Sequence, residues 1–219
     1  MSRKEGLVYV LDDEELMRHL LSGILSAEGY RVKTFSSGEE LLSGEPPSEP
    51  ACLLLDIQMP GSDGLQVQQQ IIQRGWPLPI VFLTSYATVP LSVRGLKAGA
   101  VDFLTKPCDD AVLRRVVAQA LTIARESFGA HAERTRIQAL LSSLTTREYE
   151  VLLLLVTGKL NKQLAAKLNI TERTVKAHRG SVMEKMGVTS VAELVWMVEK
   201  CGIRPDASGG AAQTVLSAG

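Results

Sequence analysis

An apolar run, Leu53-Leu54-Leu55, ends in a single aspartate, Asp56, and a Met-Pro-Gly turn follows at once. A second run, Leu7 to Leu11, ends in four successive acids, Asp12-Asp13-Glu14-Glu15. Runs with no polar alternation read as strands buried on both faces, and open α/β sheets place their chemistry at the carboxyl ends of such strands. If the first and third strands are neighbours, Asp12, Asp13 and Asp56 converge. Like charges that close raise one another's pKa unless a cation intervenes. A hard divalent ion with oxygen ligands, most simply Mg²⁺ keeping several waters, meets that need. A further apolar run, Pro79 to Thr84, ends in a hydroxyl, and the run Val101 to Leu104 is followed by the ammonium of Lys106. Carboxylates, a metal, a hydroxyl and an ammonium around one carboxylate make a site for a phosphoryl group. Asp56 is its nucleophile, with the metal, Thr84 and Lys106 meeting the phosphoryl oxygens.

These groups need a scaffold that holds four strand ends together. Between the apolar runs lie helical patterns: Leu16, Leu20, Leu21, Ile24 and Leu25 before Gly29, a short helix at 38–42, then 65–74, 89–98, and a last one from Ala111 towards Arg125. Arg31 to Phe35 supplies the second strand, and the prolines of Ser43 to Pro50 forbid regular structure there. Five strands alternating with five helices over about 120 residues predict an α/β fold with a parallel, doubly wound sheet and right-handed crossovers.

Composition narrows the setting. The chain has 219 residues and a formal net charge of zero, but residues 1–124 hold 11 Lys/Arg against 15 Asp/Glu, and residues 125–219 hold 13 against 9. An acidic front and a basic back suit different partners, with nucleic acid at the back. Three cysteines without metal-ligand spacing fit no disulfide framework and point to a reducing compartment. The start has no signal-peptide pattern, and the aliphatic run Val151 to Val156 is far too short to span a bilayer. A cytoplasmic protein without membrane partners is expected.

The back half reads as short helices. From Leu113 to Leu144 the chain is helical in tendency, weakened at Gly129, which suits a helical spacer able to pair with a second copy in a dimer. Thr145 with Glu148 is a capping box opening a new domain. Helical patterns follow at 149–157, 161–168, 171–186, and from Ser190 to about Cys201, with a tight turn at Asn169-Ile170-Thr171. That is the layout of a helix-turn-helix. Seven Lys/Arg and two Glu lie between Lys159 and Lys185, the footprint of a DNA binder. The resulting division is a front domain 1–125, a helical linker 126–143, a small all-α domain 144–203, and a Gly/Ala/Ser-rich tail 204–219, expected to be disordered.

The ordered set L-D-D, L-L-L-D-I-Q-M-P-G, F-L-T-S and D-F-L-T-K-P resembles the receiver domain of two-component response regulators, over roughly residues 5–125. L-T-T-R-E-Y-E-V-L, G-K-L-N-K-Q-L-A-A-K-L-N-I-T-E-R-T-V-K-A-H-R and V-M-E-K-M resemble the LuxR-type DNA-binding domain, over 140–202. Together they resemble a FixJ/NarL-type transcriptional response regulator, and G-A-V-D-F-L-T-K-P with V-K-A-H-R leans towards the FixJ branch. The resemblance implies a flavodoxin-like receiver phosphorylated on Asp56 by a sensor histidine kinase. It also implies Mg²⁺ held directly by Asp13, Asp56 and the Gln58 backbone carbonyl, and by Asp12 through water. Phe103 matches the aromatic switch position, its ring turning inward as Thr84 moves to the phosphoryl group. Cys108 stands where relatives often carry Phe. Residues 171–186 become the recognition helix, with Lys176, Ala177 and Arg179 towards bases or nearby phosphates. Lys162, Thr174 and Lys185 grip the backbone, and His178 braces the helix or meets a phosphate. A phosphorylation-dependent homodimer on promoter DNA, usually activating transcription with RNA polymerase, is what the family implies; phosphorylation acting instead by unmasking a DNA-binding face covered by the receiver is the alternative, and the sequence does not decide between them.

Two other readings compete. An aspartyl-nucleophile phosphohydrolase wants a second acid two residues past the nucleophile, and that position is Gln58, so no enzyme is expected. A phosphorylation-independent regulator keeping the front domain for dimerisation would not need the complete acid set with Thr84 and Lys106. Gly180 lies in mid-helix, where glycine costs about 1 kcal/mol relative to alanine; a close approach of this helix to the groove accounts for it. Gly180→Ala is therefore expected to weaken operator binding in a gel-shift titration, and unchanged affinity would overturn that role.

Overall fold

The computed structural model of the chain describes residues 6–59, 62–85 and 89–203. Its contacts divide the chain into two compact units, 1–130 and 131–219.

In the first unit, strands β1 (Leu7–Leu11), β2 (Arg31–Phe35), β3 (Ala51–Asp56), β4 (Ile80–Thr84) and β5 (Asp102–Thr105) form one sheet in the order β2-β1-β3-β4-β5, with every pairing parallel. The expected doubly wound α/β fold is present. Each apolar run became a strand because it is covered on both sides: all six residues of β3 and all five of β4 are buried. One face packs Leu53, Leu55 and Phe82 against α3 (Gly64–Gln73). The other packs Val8, Val10, Leu54 and Val81 against Leu21 and Leu25 of α1 (Glu15–Ala27) and Leu113, Val117 and Leu121 of α5 (Asp110–Ser142). Helices α2 (Gly38–Ser43) and α4 (Val89–Lys97) complete the unit. Burying a Leu or Phe side chain contributes about 1.5–3 kcal/mol, so these two layers dominate the fold.

The helix boundaries have local causes. Ser37 and Asp63 accept from backbone N–H groups at the starts of α2 and α3. Asp109 Oδ1 accepts from Ala111 N at 2.7 Å, doing the same for α5. Gly29, with φ +91°, ends α1 as its position in the sequence suggests. Two of the five apolar residues that set the period of α1 are turned outward, Leu16 at 81% exposure and Leu20 at 55%. Of the expected turn after Asp56, Pro60 and Gly61 lie outside the described residues. Gln58–Met59 and Ser62–Asp63, on either side of it, pair as a short antiparallel ladder.

The helical tendency read from Leu113 to Leu144 is realised as α5, a single helix of 33 residues in which the weak point at Gly129 makes no break. A lone glycine costs about 1 kcal/mol, which neighbouring turns absorb. The end of this helix belongs energetically to the second unit: Ile137 is fully buried in that unit's core, and Leu140 and Leu141 pack against it. The expected 126–143 spacer is thus only in part a spacer.

The second unit consists of α6 (Thr146–Leu155), α7 (Asn161–Leu168), α8 (Glu172–Met186) and α9 (Val191–Lys200) with the end of α5. The capping box is formed: Thr145 accepts from Glu148 N, and Glu148 from Thr145 N at 2.8 Å. Asn169 takes the left-handed conformation, φ 52° and ψ 48°, giving the tight turn between α7 and α8. Gly187 does the same at the end of α8. The Gly/Ala/Ser-rich tail expected to be disordered lies outside the described residues.

One contact fixes where α3 begins. A Cβ on Gly64 would lie 2.4 Å from the Asp56 carbonyl oxygen and 2.9 Å from Ile57 Cα, both backbone atoms that cannot step aside. Gly64→Ala is expected to destabilise the first unit by about 1–3 kcal/mol. Urea denaturation followed by Trp76 fluorescence in a Trp196→Phe background measures this.

Candidate functional site

Because β1 and β3 are directly paired, with Leu11 opposite Leu55, the residues that follow them meet at one edge of the sheet. Ligand atoms of Asp12, Asp13 and Asp56 lie within 4.8 Å of one another; Asp12 and Asp56 are buried and Asp13 is exposed. Lys106 enters from the end of β5. Its Nζ donates to Asp12 Oδ2 at 2.6 Å and to Asp56 Oδ2 at 2.7 Å, and the three side chains are at most 7% exposed. Burial alone would lower the Lys106 pKa, but the hydrogen bonds and charges of Asp12 and Asp56 outweigh it and raise the pKa above its ordinary value, so the group stays an ammonium. The Lys106-Pro107 peptide is cis.

The backbone holds the acids in place. Glu14 N donates to Asp12 Oδ1 at 3.0 Å, and Gln58 N donates to Asp56 Oδ1 at 3.2 Å. Arg18, one turn into α1, donates to the carbonyls of Asp12 and Asp13 at 2.7 and 2.9 Å. Thr84 is fully buried at the end of β4, the strand beside β3. Phe103 on β5 is half-buried, with its ring centroid 5.3 Å from that of Phe82. Cys108 is half-buried against the α1/α5 layer, its thiol pKa pushed up by burial. The structure therefore brings Asp12, Asp13, Asp56, Gln58, Thr84 and Lys106 to one sheet edge, with Phe103 on the adjoining strand. The oxygen-only donor set suits a hard divalent cation.

Sequence reasoning missed Arg18 and Gly64. Both act on backbone atoms, and only the fold brings them to the site; the Asp63-Gly64 dipeptide was at most a turn signal.

In the second unit, Val175, Val182 and Met186 turn the inner face of α8 into the core. Arg173, Lys176, Ala177, Gly180 and Glu184 are exposed on the outer face. Nothing lies within 4 Å of a Cβ built on Gly180, so internal packing gives no reason for glycine there. Arg173 belongs to this face and was not singled out from the sequence, although the period of the buried residues marks it. Lys162 is exposed at the start of α7. Thr174 is half-buried, its hydroxyl 2.9 Å from that of Thr171 at the N-cap. His178 is half-buried, and Arg179 reaches back to Asn161 Oδ1 at 3.4 Å.

Lys185 stands apart from the other expected contacts. Nine residues beyond Lys176, it lies on about the opposite side of α8. Its ammonium is 2.7 Å from Glu148 Oε2 and 3.4 Å from the Ser143 carbonyl. This bond, with those from Thr145, holds the Glu148 pKa down to about 2 against an ordinary 4.5.

With the geometry described, the chain can be placed among known proteins. Residues 8–118 match the response regulator receiver domain, and residues 142–198 match the bacterial regulatory proteins of the luxR family. The response regulator protein TmoT of Ectopseudomonas mendocina is 37% identical over 200 residues, 91% of each chain. The transcriptional regulatory protein FixJ of Bradyrhizobium diazoefficiens is 34% identical over 202 residues, 92% of this chain and 98% of that one. Among solved structures, the response regulator StyR superposes with a TM-score of 0.71 at 39% identity, over 90% of this chain and all of that one. The chain belongs to the FixJ/NarL-type two-component response regulators, built of a receiver and a LuxR-type DNA-binding domain. Among the described residues, no helix is long and apolar enough to cross a membrane.

The Glu148 carboxylate gives a signed pH dependence. With its pKa depressed in the fold, its contribution is fully present above pH 4.5 and is lost as pH falls towards 2. Glu148→Gln is expected to lower the thermal midpoint of the second unit at about pH 6, the penalty shrinking to nothing in strong acid. Melting curves read from Trp196 in a Trp76→Phe background test this.

Proposed function

We propose that this chain is a phosphorylation-switched transcription factor in which Asp56 accepts a phosphoryl group from a sensor histidine kinase. The observation that carries this reading is the buried pair of hydrogen bonds from Lys106 to Asp12 and Asp56, beside a third carboxylate, Asp13. In the transfer, an oxygen of Asp56 forms the new P–O bond as the bond from phosphorus to the donor imidazole nitrogen breaks. The hydrogen bond from Gln58 N orients the Asp56 carboxylate, leaving its other oxygen towards Lys106. Lys106 and Thr84 stand where they can receive the charge on the phosphoryl oxygens. Asp13, Asp56 and the Gln58 carbonyl, with Asp12 through water, would hold Mg²⁺, which supplies charge neutralisation as the phosphoryl group is transferred. Movement of Thr84 towards the phosphoryl group would draw the Phe103 ring inward and alter the surface around α4 and β5.

In this reading the receiver spans 1–125, the linker 126–143 and the DNA-binding domain 144–203. The outer face of α8 enters the major groove: Lys176, Ala177 and the newly recognised Arg173 meet base edges or nearby phosphates, and Gly180 permits the close approach. Arg179, Lys162, Thr174 and His178 serve phosphates or brace the helix. Phosphate contacts give affinity and base edges give sequence choice. Lys185 would have to leave Glu148 to reach a phosphate, so it braces α8 on α6. Pairing of two phosphorylated receivers would set two helix-turn-helix units on half-sites about 34 Å apart, one turn of DNA. Activation of a promoter with RNA polymerase, in the cytoplasm, is the output proposed.

The test is intact-protein mass after incubation with acetyl phosphate and Mg²⁺, with light scattering alongside, for wild type and Asp56→Asn. One phosphate added only to the wild type, with a shift towards dimer, is expected. No addition, or equal addition to the variant, would overturn the reading in favour of a receiver kept only for pairing.

A further inference from the structure

Gln68 is a polar side chain in an apolar layer. It is a buried residue of α3, 1% exposed, and its side chain reaches the end of α4. Its amide nitrogen donates to two carbonyls of the α4 end, Gly95 O at 3.1 Å and Ala98 O at 3.3 Å. An amide NH₂ has two hydrogens, and two carbonyls accept them; the reverse orientation would set an oxygen against two oxygens. The last carbonyls of a helix have no partner within it. Gly95 O also accepts from Ala100 N at 3.1 Å, so the Gln68 bond is an added restraint at that position. Gln68 thus caps α4 from a neighbouring helix.

A second observation converges on the same residue. Gly95 is where α4 rides over the rings beneath it: a Cβ there would lie 2.9 Å from Phe82 Cε2 and 3.3 Å from Phe103 Cε2. The residue whose carbonyl Gln68 holds is the one whose bare Cα rests on the two aromatic rings. The position of α4 over Phe103 is therefore set by two restraints, the clasp from α3 and the ring contact at Gly95. The clasp is also incomplete. Gln68 Oε1 is buried with no hydrogen-bond partner among the described residues, and an orphan acceptor in a buried site is unfavourable. A restraint with a built-in deficit suits an element meant to be displaced.

We propose that Gln68 is a positioning residue for the receiver switch, its amide holding α4 down on Phe82 and Phe103 so that Phe103 cannot change orientation without opening the clasp. This rests on the reading that Phe103 and Thr84 respond to phosphorylation of Asp56. Gln68 touches no reacting atom. It sets how much of the phosphorylation free energy is needed to displace α4, and so the ratio of the two receiver conformations before phosphorylation. Removing the donor lowers that requirement and shifts the population without any phosphodonor.

The test uses the full chain with 4-fluorophenylalanine at position 103, followed by ¹⁹F NMR and by the dimerisation constant, each with and without acetyl phosphate and Mg²⁺. In wild type, the phosphodonor is expected to move the resonance and strengthen dimerisation. Gln68→Met, near-isosteric and without a donor, is expected to show a resonance moved towards the phosphorylated position with no phosphodonor, and basal dimerisation at least about tenfold tighter, a shift of about 1.4 kcal/mol. Gln68→His keeps a ring N–H donor at similar reach without requiring a buried charge, and is expected to stay closer to the wild-type resonance and dimerisation than Gln68→Met. A merely structural role would alter the melting temperature in both variants and leave the position of the basal resonance alone. If circular dichroism shows Gln68→Met unfolded, Gln68→Asn, an amide one methylene short of both carbonyls, takes its place with the same outcomes. A wild-type resonance and wild-type dimerisation in the donorless variant would overturn the role of Gln68 while leaving the phosphorylation reading intact. A wild type that neither shifts nor dimerises would overturn both.

Discussion

One ammonium group between two buried carboxylates is the constraint from which the receiver follows. Asp12 and Asp56 stand at the ends of adjacent strands with almost no access to water, and a third acid, Asp13, adjoins them. Burying like charges this close is unfavourable unless an opposite charge shares the space. Lys106 does so at hydrogen-bond distance from both. That requirement explains why β1, β3 and β5 must end at the same edge of the sheet, why the backbone around each acid is pinned by Gln58, Glu14 and Arg18, and why α3 must start without a side chain at Gly64. The same arrangement leaves Asp56 oriented, buried and next to a cation, the environment on which the proposed phosphorylation rests.

Most of this was legible in the amino-acid sequence because the physics involved is local or periodic. The apolar runs that became β1, β3 and β4 read as doubly covered strands, and each ended at or just before an acid or a hydroxyl, so the site could be written down before the sheet order was known. The helix-turn-helix was legible for a similar reason: capping residues at Thr145, Thr171 and Ser190 and left-handed positions at Asn169 and Gly187 punctuate the helices where the structure has them. What escaped reading depends on contacts across the chain. Leu16 and Leu20 have the period of buried residues, yet among the described residues nothing covers the face they occupy. The helical tendency through Gly129 was legible, but that the end of α5 gives Ile137 to the second unit's core was not, because that depends on the helices that cover it. Lys185 reads as one more base in a basic helix, and only the position of α6 shows it bound to Glu148.

The two units solve the problem of charge differently. The receiver concentrates its critical charges at one site, where the buried carboxylates of Asp12 and Asp56 share the Lys106 ammonium and Asp13 adjoins them, exposed. The DNA-binding unit keeps the charges of the outer face of α8 exposed to solvent, and turns others, Lys185 with Glu148 and Arg147 with the Leu168 carbonyl, to holding its own helices together. The first arrangement favours chemistry at one atom and the second favours an extended anionic partner, so one chain carries both without either compromising the other.

The strand order β2-β1-β3-β4-β5 has a further consequence for how the molecule comes into being. Each strand after the second is laid against a free edge, so the sheet can be assembled as the chain emerges, with no insertion between partners already joined. The acids of the pocket arrive with the first and third strands, and the ammonium that balances them arrives only after the last. Until then the pocket is a knot of mutually repelling carboxylates, open and hydrated. Lys106, just after the last strand, acts as a latch on the pocket's construction, and a chain that stops short of it has the acids without the group that closes them into a site.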